Sequence, residues 1–284
     1  MLRNGRAFKA AAPDAWRIRC YTGACIIPRR SPVPEPQSVI PVSRSWQDQL
    51  RDAVTSAVEL RAILGLEEDR STGDHCAAAD FPVKVPRAFV QRMRAGDPRD
   101  PLLLQVLATP AENATVPGFQ RDPLGETGAT NPQPGIIHKY HGRALLIASS
   151  GCAVNCRYCF RRHFPYDENR NSRREWHAAL RYIAEDSEIE EVILSGGDPL
   201  LLTDPALREL CADIAAIDHV KRLRIHSRLP VVSPDRVTQA LLEAILPAGV
   251  QTVVVLHCNH ANEIDDSVGA VVAMMKARGI TVLN

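Results

Sequence analysis

Long hydrophobic runs are missing from this 284-residue sequence. Its apolar stretches are as short as VVVL at 253–256, too brief for a helix that spans a bilayer. The apolar core of a secretory signal is missing too. Eight cysteines in such a chain point to a reducing, cytoplasmic setting, where clustered thiols bind metal sooner than they pair. Net charge is only +1, so nothing in the total attracts nucleic acid. A dinucleotide-type glycine fingerprint is also lacking, which turns any parallel α/β pattern toward a barrel rather than an open doubly wound sheet. What is present is 45% hydrophobic and 24% charged residues, an enzyme-like balance with enough chain for a large core.

Composition divides the chain into three parts. Residues 1–37 carry seven Arg/Lys against Asp14 and Glu35 and end in PRRSPVPEP. They read as a disordered or spurious extension rather than a targeting peptide, with Cys20 and Cys25 as a less favoured metal pair. Residues 38–135 form a helical region and connector. SRSWQDQLRDAVTSAVEL places Trp46, Leu50, Ala53, Val54 and Ala57 on one helical stripe, with Ser43 or Ser45 as cap. VPRAFVQRM predicts a second helix stopping at Gly96, and DPLLLQVL a third, with Asp100 as cap and Pro101 at its first position. Residues 110–135 hold five prolines and four glycines and predict an irregular connector.

Residues 136–284 alternate strands with amphipathic helices. RALLIAS, EVILS, RLRIHS, QTVVVLH and ITVLN predict five strands. Between them NSRREWHAALRYI carries a capping box, Ser172 with Glu175, and DPALRELCADIAAI opens on Asp204-Pro205. Further helices are expected from Ser233-Pro234 and from about Glu263 to Gly279. This pattern predicts an α/β fold, a partial parallel βα barrel with a helical N-terminal region. The unusual segments all follow strands, as reactive groups do at a barrel's C-terminal mouth.

The first strand leads into CAVNCRYC, which sets Cys152, Cys156 and Cys159 at spacings of four and three. Three thiolates suit a four-iron cluster whose fourth iron stays open to a small molecule. With His163 the same loop reads Cys-x3-Cys-x2-Cys-x3-His, a zinc pattern. The cysteines alone leave both readings open. Gly196 and Gly197 after the next strand favour the cluster, because glycines let a ligand's polar end approach the backbone.

PGIIHKYHGRALLIASSGCAVNCRYCFRRHFPY, VILSGGDPLL, RLRIHSRLPVVSP and HCNHANEID together resemble the lysine 2,3-aminomutase family of radical S-adenosylmethionine enzymes. Within it the likeness is to the branch that makes (R)-β-lysine for elongation factor P. The resemblance covers about residues 38–284. It implies an isomerase that moves the α-amino group of L-lysine to C3, using a [4Fe-4S] cluster, S-adenosylmethionine and pyridoxal 5′-phosphate. Cys152, Cys156 and Cys159 would ligate the cluster. Ser195, Gly196, Gly197 and Asp198 would line the methionine end of S-adenosylmethionine, with His257 near its adenosyl group. Tyr140 would stack on pyridoxal phosphate, beside Arg143 and Arg228. Arg161 would grip the substrate carboxylate, which matches the bidentate fork of a guanidinium.

The family's Schiff-base lysine is expected beyond Asn284. None of the chain's own lysines, Lys9, Lys84, Lys139, Lys221 and Lys276, is expected to replace it, so the chain alone is expected to assemble the cluster without converting lysine. Cys211, on the Leu207–Leu210–Ile214 stripe, reads as packing, and Cys76 and Cys258 as ordinary thiols. Arg157, Arg161 and Arg162 admit a competing reading as a face for RNA, which together with the zinc pattern makes a non-catalytic binding module the alternative.

Overall fold

The computed structural model describes residues 45–66, 82–109, 112, 114, 116–169 and 173–284. The expectations for residues 1–37, with Cys20, Cys25 and Lys9, and for Ser43, Cys76 and Ser172 lie outside them.

Strand periodicity is carried by alternating faces. The strands Arg143–Ser149 (β2), Glu191–Gly196 (β3), Arg222–Ser227 (β4), Gln251–Leu256 (β5) and Thr281–Leu283 (β6) pair in parallel, in chain order. In register, Leu146 faces Leu194, Leu194 faces Ile225, and Ile225 faces Val254. All four side chains are fully buried, in one row across the sheet. Helices Arg173–Glu185, Asp204–Ala215, Gln239–Ala244 and Asp266–Ala277 lie in the crossovers, and Ile183, Leu207, Leu210 and Ile214 join the same core. Cys211 is completely buried there, as its stripe predicts. The expected partial βα barrel is therefore the observed architecture, with an addition. Ile136–Tyr140 (β1) pairs antiparallel with β2 at the sheet's first edge, across a turn where Gly142 has φ +78. Among the described residues no helix is long and apolar enough to cross a membrane.

The N-terminal helices are shorter than their stripes predict. Trp46–Arg51 ends, and Ala57–Ile63 begins anew with Ser56 as its cap. Val54 lies between them, fully buried, and exchanges both backbone hydrogen bonds with Val85 at 2.9 Å. A β-branched residue pulled into a bridge breaks the run. VPRAFVQRM supplies only the turn Arg87–Val90. Asp100 does accept from the Leu102 and Leu103 amides, at 2.8 and 3.0 Å, but opens only a 3-10 turn.

Caps elsewhere shift by a residue or more. Thr203, not Asp204, caps Asp204–Ala215, and Asp265 caps the last helix, so Glu263 closes a 3-10 turn ahead of it. Ser233-Pro234 opens another 3-10 turn, and Thr238 caps the helix beyond.

One buried cation ties the N-terminal helix to the barrel. Arg236 has no solvent exposure and stands 4.4 Å from the Trp46 ring. It donates to the carbonyls of Leu200 (2.7 Å) and Leu202 (3.0 Å) and pairs with Asp204 at 2.6 Å. Arg236→Ala strands those acceptors, and should lower unfolding stability by ~2–4 kcal/mol in urea titrations. A loss below ~1 kcal/mol would show that the cation is dispensable.

Candidate functional site

The loop after β2 carries the three cysteines, and it is held from outside the barrel. Lys84 Nζ donates to the Cys152 carbonyl at 2.8 Å. The Asn155 amide donates to the Lys84 carbonyl at 2.9 Å, and the Arg157 amide to that of Gln105 at 2.7 Å. So laced, Cys152, Cys156 and Cys159 line one cavity with Arg161, the Ser195–Asp198 turn after β3, His226 and Arg228 around the end of β4, and His257 after β5. Every residue expected at the cluster, at S-adenosylmethionine or at the substrate carboxylate is at this mouth. Tyr140 and Arg143 are not. They flank the β1–β2 turn at the opposite end of the strands, with the Arg143 guanidinium 4.9 Å from the Tyr140 ring.

Gly196 and Gly197 have a steric reason beside the one expected. A Cβ on Gly197 would stand 2.1 Å from the Gly151 carbonyl oxygen, and one on Gly196 would meet Ile147 at 2.7 Å and the Ser149 oxygen at 2.8 Å. Gly196 also has φ +102. The glycines thus let the cysteine loop close against β3 while still lining the cavity. Asp198 braces the chain as well. Its buried carboxylate accepts from Ser227 Oγ (2.7 Å) and from the amides of Leu200 (3.0 Å), Arg228 (2.9 Å) and Leu229 (3.0 Å). Burial pushes this carboxyl up while the four donors hold it down.

Arg161 is nine-tenths buried, and its fork is already engaged. Nε and Nη2 donate to the two Glu126 oxygens at 2.7 and 2.8 Å, and Nη1 to Ser195 Oγ at 3.1 Å. Arg157 and Arg162 both pair with Glu112. These internal carboxylates take up the basic run that admitted an RNA face.

The donor set fits an iron–sulfur cluster. The cysteines share one loop and one cavity, yet no three His, Cys, Asp or Glu side chains among the described residues gather tightly enough for a single metal ion. His163, the expected fourth zinc ligand, does not line this cavity; it lines a neighbouring groove with Cys159, Glu112, Arg157 and Arg162. Burial pushes the Cys152 and Cys159 thiols up, so loading metal must release protons. The cavity wall also carries a buried polar atom with no protein partner, His226 Nε2. Sequence reading did not single out His226, Glu126 or Gln105 for the site. Only the position of His226 at a strand end signalled it.

His226 and His257 meet edge to face, with ring centroids 5.9 Å apart. Burial first, then His257, Arg224 and Arg161, holds the His226 imidazole down at about 4, against 6.5 for a free one. The unfolded chain takes up that proton near 6.5 and the folded one only near 4. Stability from neutral His226 is therefore complete above 6.5 and is lost as pH falls toward 4, by ~2–3 kcal/mol. His226→Gln should flatten this acid limb in denaturant titrations of the metal-free protein. An unchanged slope would place the titration elsewhere.

Comparison with known proteins agrees with this geometry. The Radical SAM superfamily model matches residues 146–282, from within β2 to β6. The L-lysine 2,3-aminomutase of Escherichia coli strain K12 is 47% identical over 245 residues, 86% of this chain and 71% of that protein. That of Haemophilus influenzae is 45% identical over 248 residues, covering 87% and 73%, and that of Clostridium subterminale 30% over 243 residues, covering 84% and 57%. With a superfamily model that runs across the cysteine loop from β2 to β6, and relatives matched over 84–87% of its length, the chain belongs to the L-lysine 2,3-aminomutase family of the radical S-adenosylmethionine superfamily.

Proposed function

We propose that this protein is an isomerase that converts L-lysine to β-lysine, with the cavity at the strand C-termini as its radical-generating site. The reading is carried by one observation: three cysteines, the Ser195-Gly196-Gly197 turn and Arg161 line a single cavity in a chain of this family. Cys152, Cys156 and Cys159 would hold the [4Fe-4S] cluster, and the Ser195–Gly197 turn and His257 would contact S-adenosylmethionine. When bound, these two groups supply hydrogen abstraction from substrate carbon, and pyridoxal phosphate supplies the hold on the migrating nitrogen.

The chain's own side chains bind and exclude. Arg161 presents a fixed cation at the cavity wall, since Glu126 and Ser195 lock its plane. It would orient the lysine carboxylate through the part of the guanidinium that Glu126 leaves open. Tyr140 and Arg143 would serve pyridoxal phosphate from the other end of the strands; support for this is an exposed ring with a cation beside it. A cytoplasmic site, and use of the product on elongation factor P, complete the proposal on the strength of the family branch.

The test is reductive cleavage of S-adenosylmethionine to methionine and 5′-deoxyadenosine by anaerobically reconstituted protein, followed by chromatography, with β-lysine formation assayed in a version extended to carry the family's Schiff-base lysine. Loaded protein that leaves S-adenosylmethionine intact would overturn the assignment. Within it, Cys156→Ala should abolish iron and sulfide uptake while His163→Ala leaves both intact; equal loss in the two variants would favour zinc. Arg161→Lys keeps the charge and loses the fork, so lysine affinity should fall by ~1.5–3 kcal/mol with the cluster intact. Unchanged affinity removes Arg161 from the substrate site.

A further inference from the structure

Arg228 was expected beside pyridoxal phosphate, yet its guanidinium is directed at the cysteine loop. Nη1 stands 2.8 Å from Cys156 Sγ, a contact made across 72 residues of sequence. The side chain is almost wholly buried and cannot swing away. Phe89 and Tyr158 stack on it, with ring centroids 5.2 and 5.6 Å from Cζ. Nη2 donates to Gln105 Oε1 at 2.6 Å, and the fully buried Glu263 lies 3.4 Å from it. Glu263 is fixed in turn, since Oε1 accepts from Gln105 at 2.9 Å and from the amides of Asn259 and His260 at 3.0 Å. A buried cation held this firmly, with its free donor on one sulfur, has a purpose beyond balancing a carboxylate 3.4 Å away.

We propose that Arg228 is a tuning residue for the cluster: it donates a charge-assisted hydrogen bond to the Cys156 sulfur and thereby raises the cluster's midpoint potential. An iron-bound thiolate still has lone pairs to accept this bond. One-electron reduction adds negative charge to the cluster, part of it on its sulfurs, so a cation 2.8 Å from one of them favours the reduced form. Burial strengthens the effect, because little water screens the pair. Glu263 acts with the opposite sign. Its charge opposes reduction, and its three hydrogen bonds hold the Arg228 environment in shape.

The inference rests on the cluster reading above, and the two fail in different ways. Wild-type protein, Arg228→Met, Arg228→Lys and Glu263→Gln are reconstituted with iron and sulfide, assayed for both, and titrated with dithionite under potentiometric control. Electron paramagnetic resonance follows the reduced cluster. At the potential where the wild type is half reduced, Arg228→Met should show about a tenfold lower ratio of reduced to oxidised cluster, a shift of ~59 mV downward for one electron. Arg228→Lys should recover part of this, and Glu263→Gln should move upward. No cluster in the wild type would sink the cluster reading itself. Loaded Arg228→Met with an unmoved midpoint would sink this inference alone. Should Arg228→Met not hold a cluster, Glu263→Gln decides, and a downward or absent shift there overturns the proposal.

Discussion

The mouth of this barrel depends on one buried carboxylate. Asp198 leaves the end of β3 and takes four donors, three of them from the end of β4 and the turn that follows. Parallel strands by themselves set only the spacing of their ends. Asp198 adds the direction in which the chain leaves β4, and so fixes where Arg228 begins. Remove that carboxylate, and the Arg228 and Leu229 amides and the Ser227 hydroxyl lose their acceptor in the interior. The cost would fall on the position of the residues facing the cysteines as much as on stability.

A second layer of order comes from outside the barrel. The cysteine loop has no regular structure of its own, and its backbone groups are satisfied by Lys84 and Gln105 in the N-terminal region. Arg92 adds a further tie, donating to the carbonyls of Val231 (2.7 Å) and Glu263 (2.6 Å). The segment from Val83 to Val106 thus works as a brace across several strand ends. Its short helices make sense in that light, since a brace needs fixed donors more than it needs length.

The five parallel strands, the cysteine loop and the partial barrel were legible in the sequence because each is a local pattern: apolar runs of strand length, spacings of four and three, turns that follow strands. What was not legible is what depends on contact between distant residues. The pairing of Val54 with Val85 shortens a helix whose stripe is otherwise intact. Glu126 lies in a stretch of prolines and glycines that predicts only a connector, and nothing local joins it to Arg161, 35 residues on. Arg228 is the sharpest case, since its segment was recognised while its contact with Cys156, 72 residues away, was not. The glycine pair was singled out for ligand access, and contact between distant residues adds a second requirement: steric closure against Gly151.

The lacing of the cysteine loop also sets how the loop opens. Its partners are remote in sequence, 68 residues away for the Lys84 ammonium and 73 for the Pro82 carbonyl that Asn155 Nδ2 reaches at 2.7 Å. Undocking of that remote segment would free the loop that carries Cys152, Cys156 and Cys159 while leaving every pair of strands intact, so the opening of the loop is governed by the N-terminal contacts and not by the sheet.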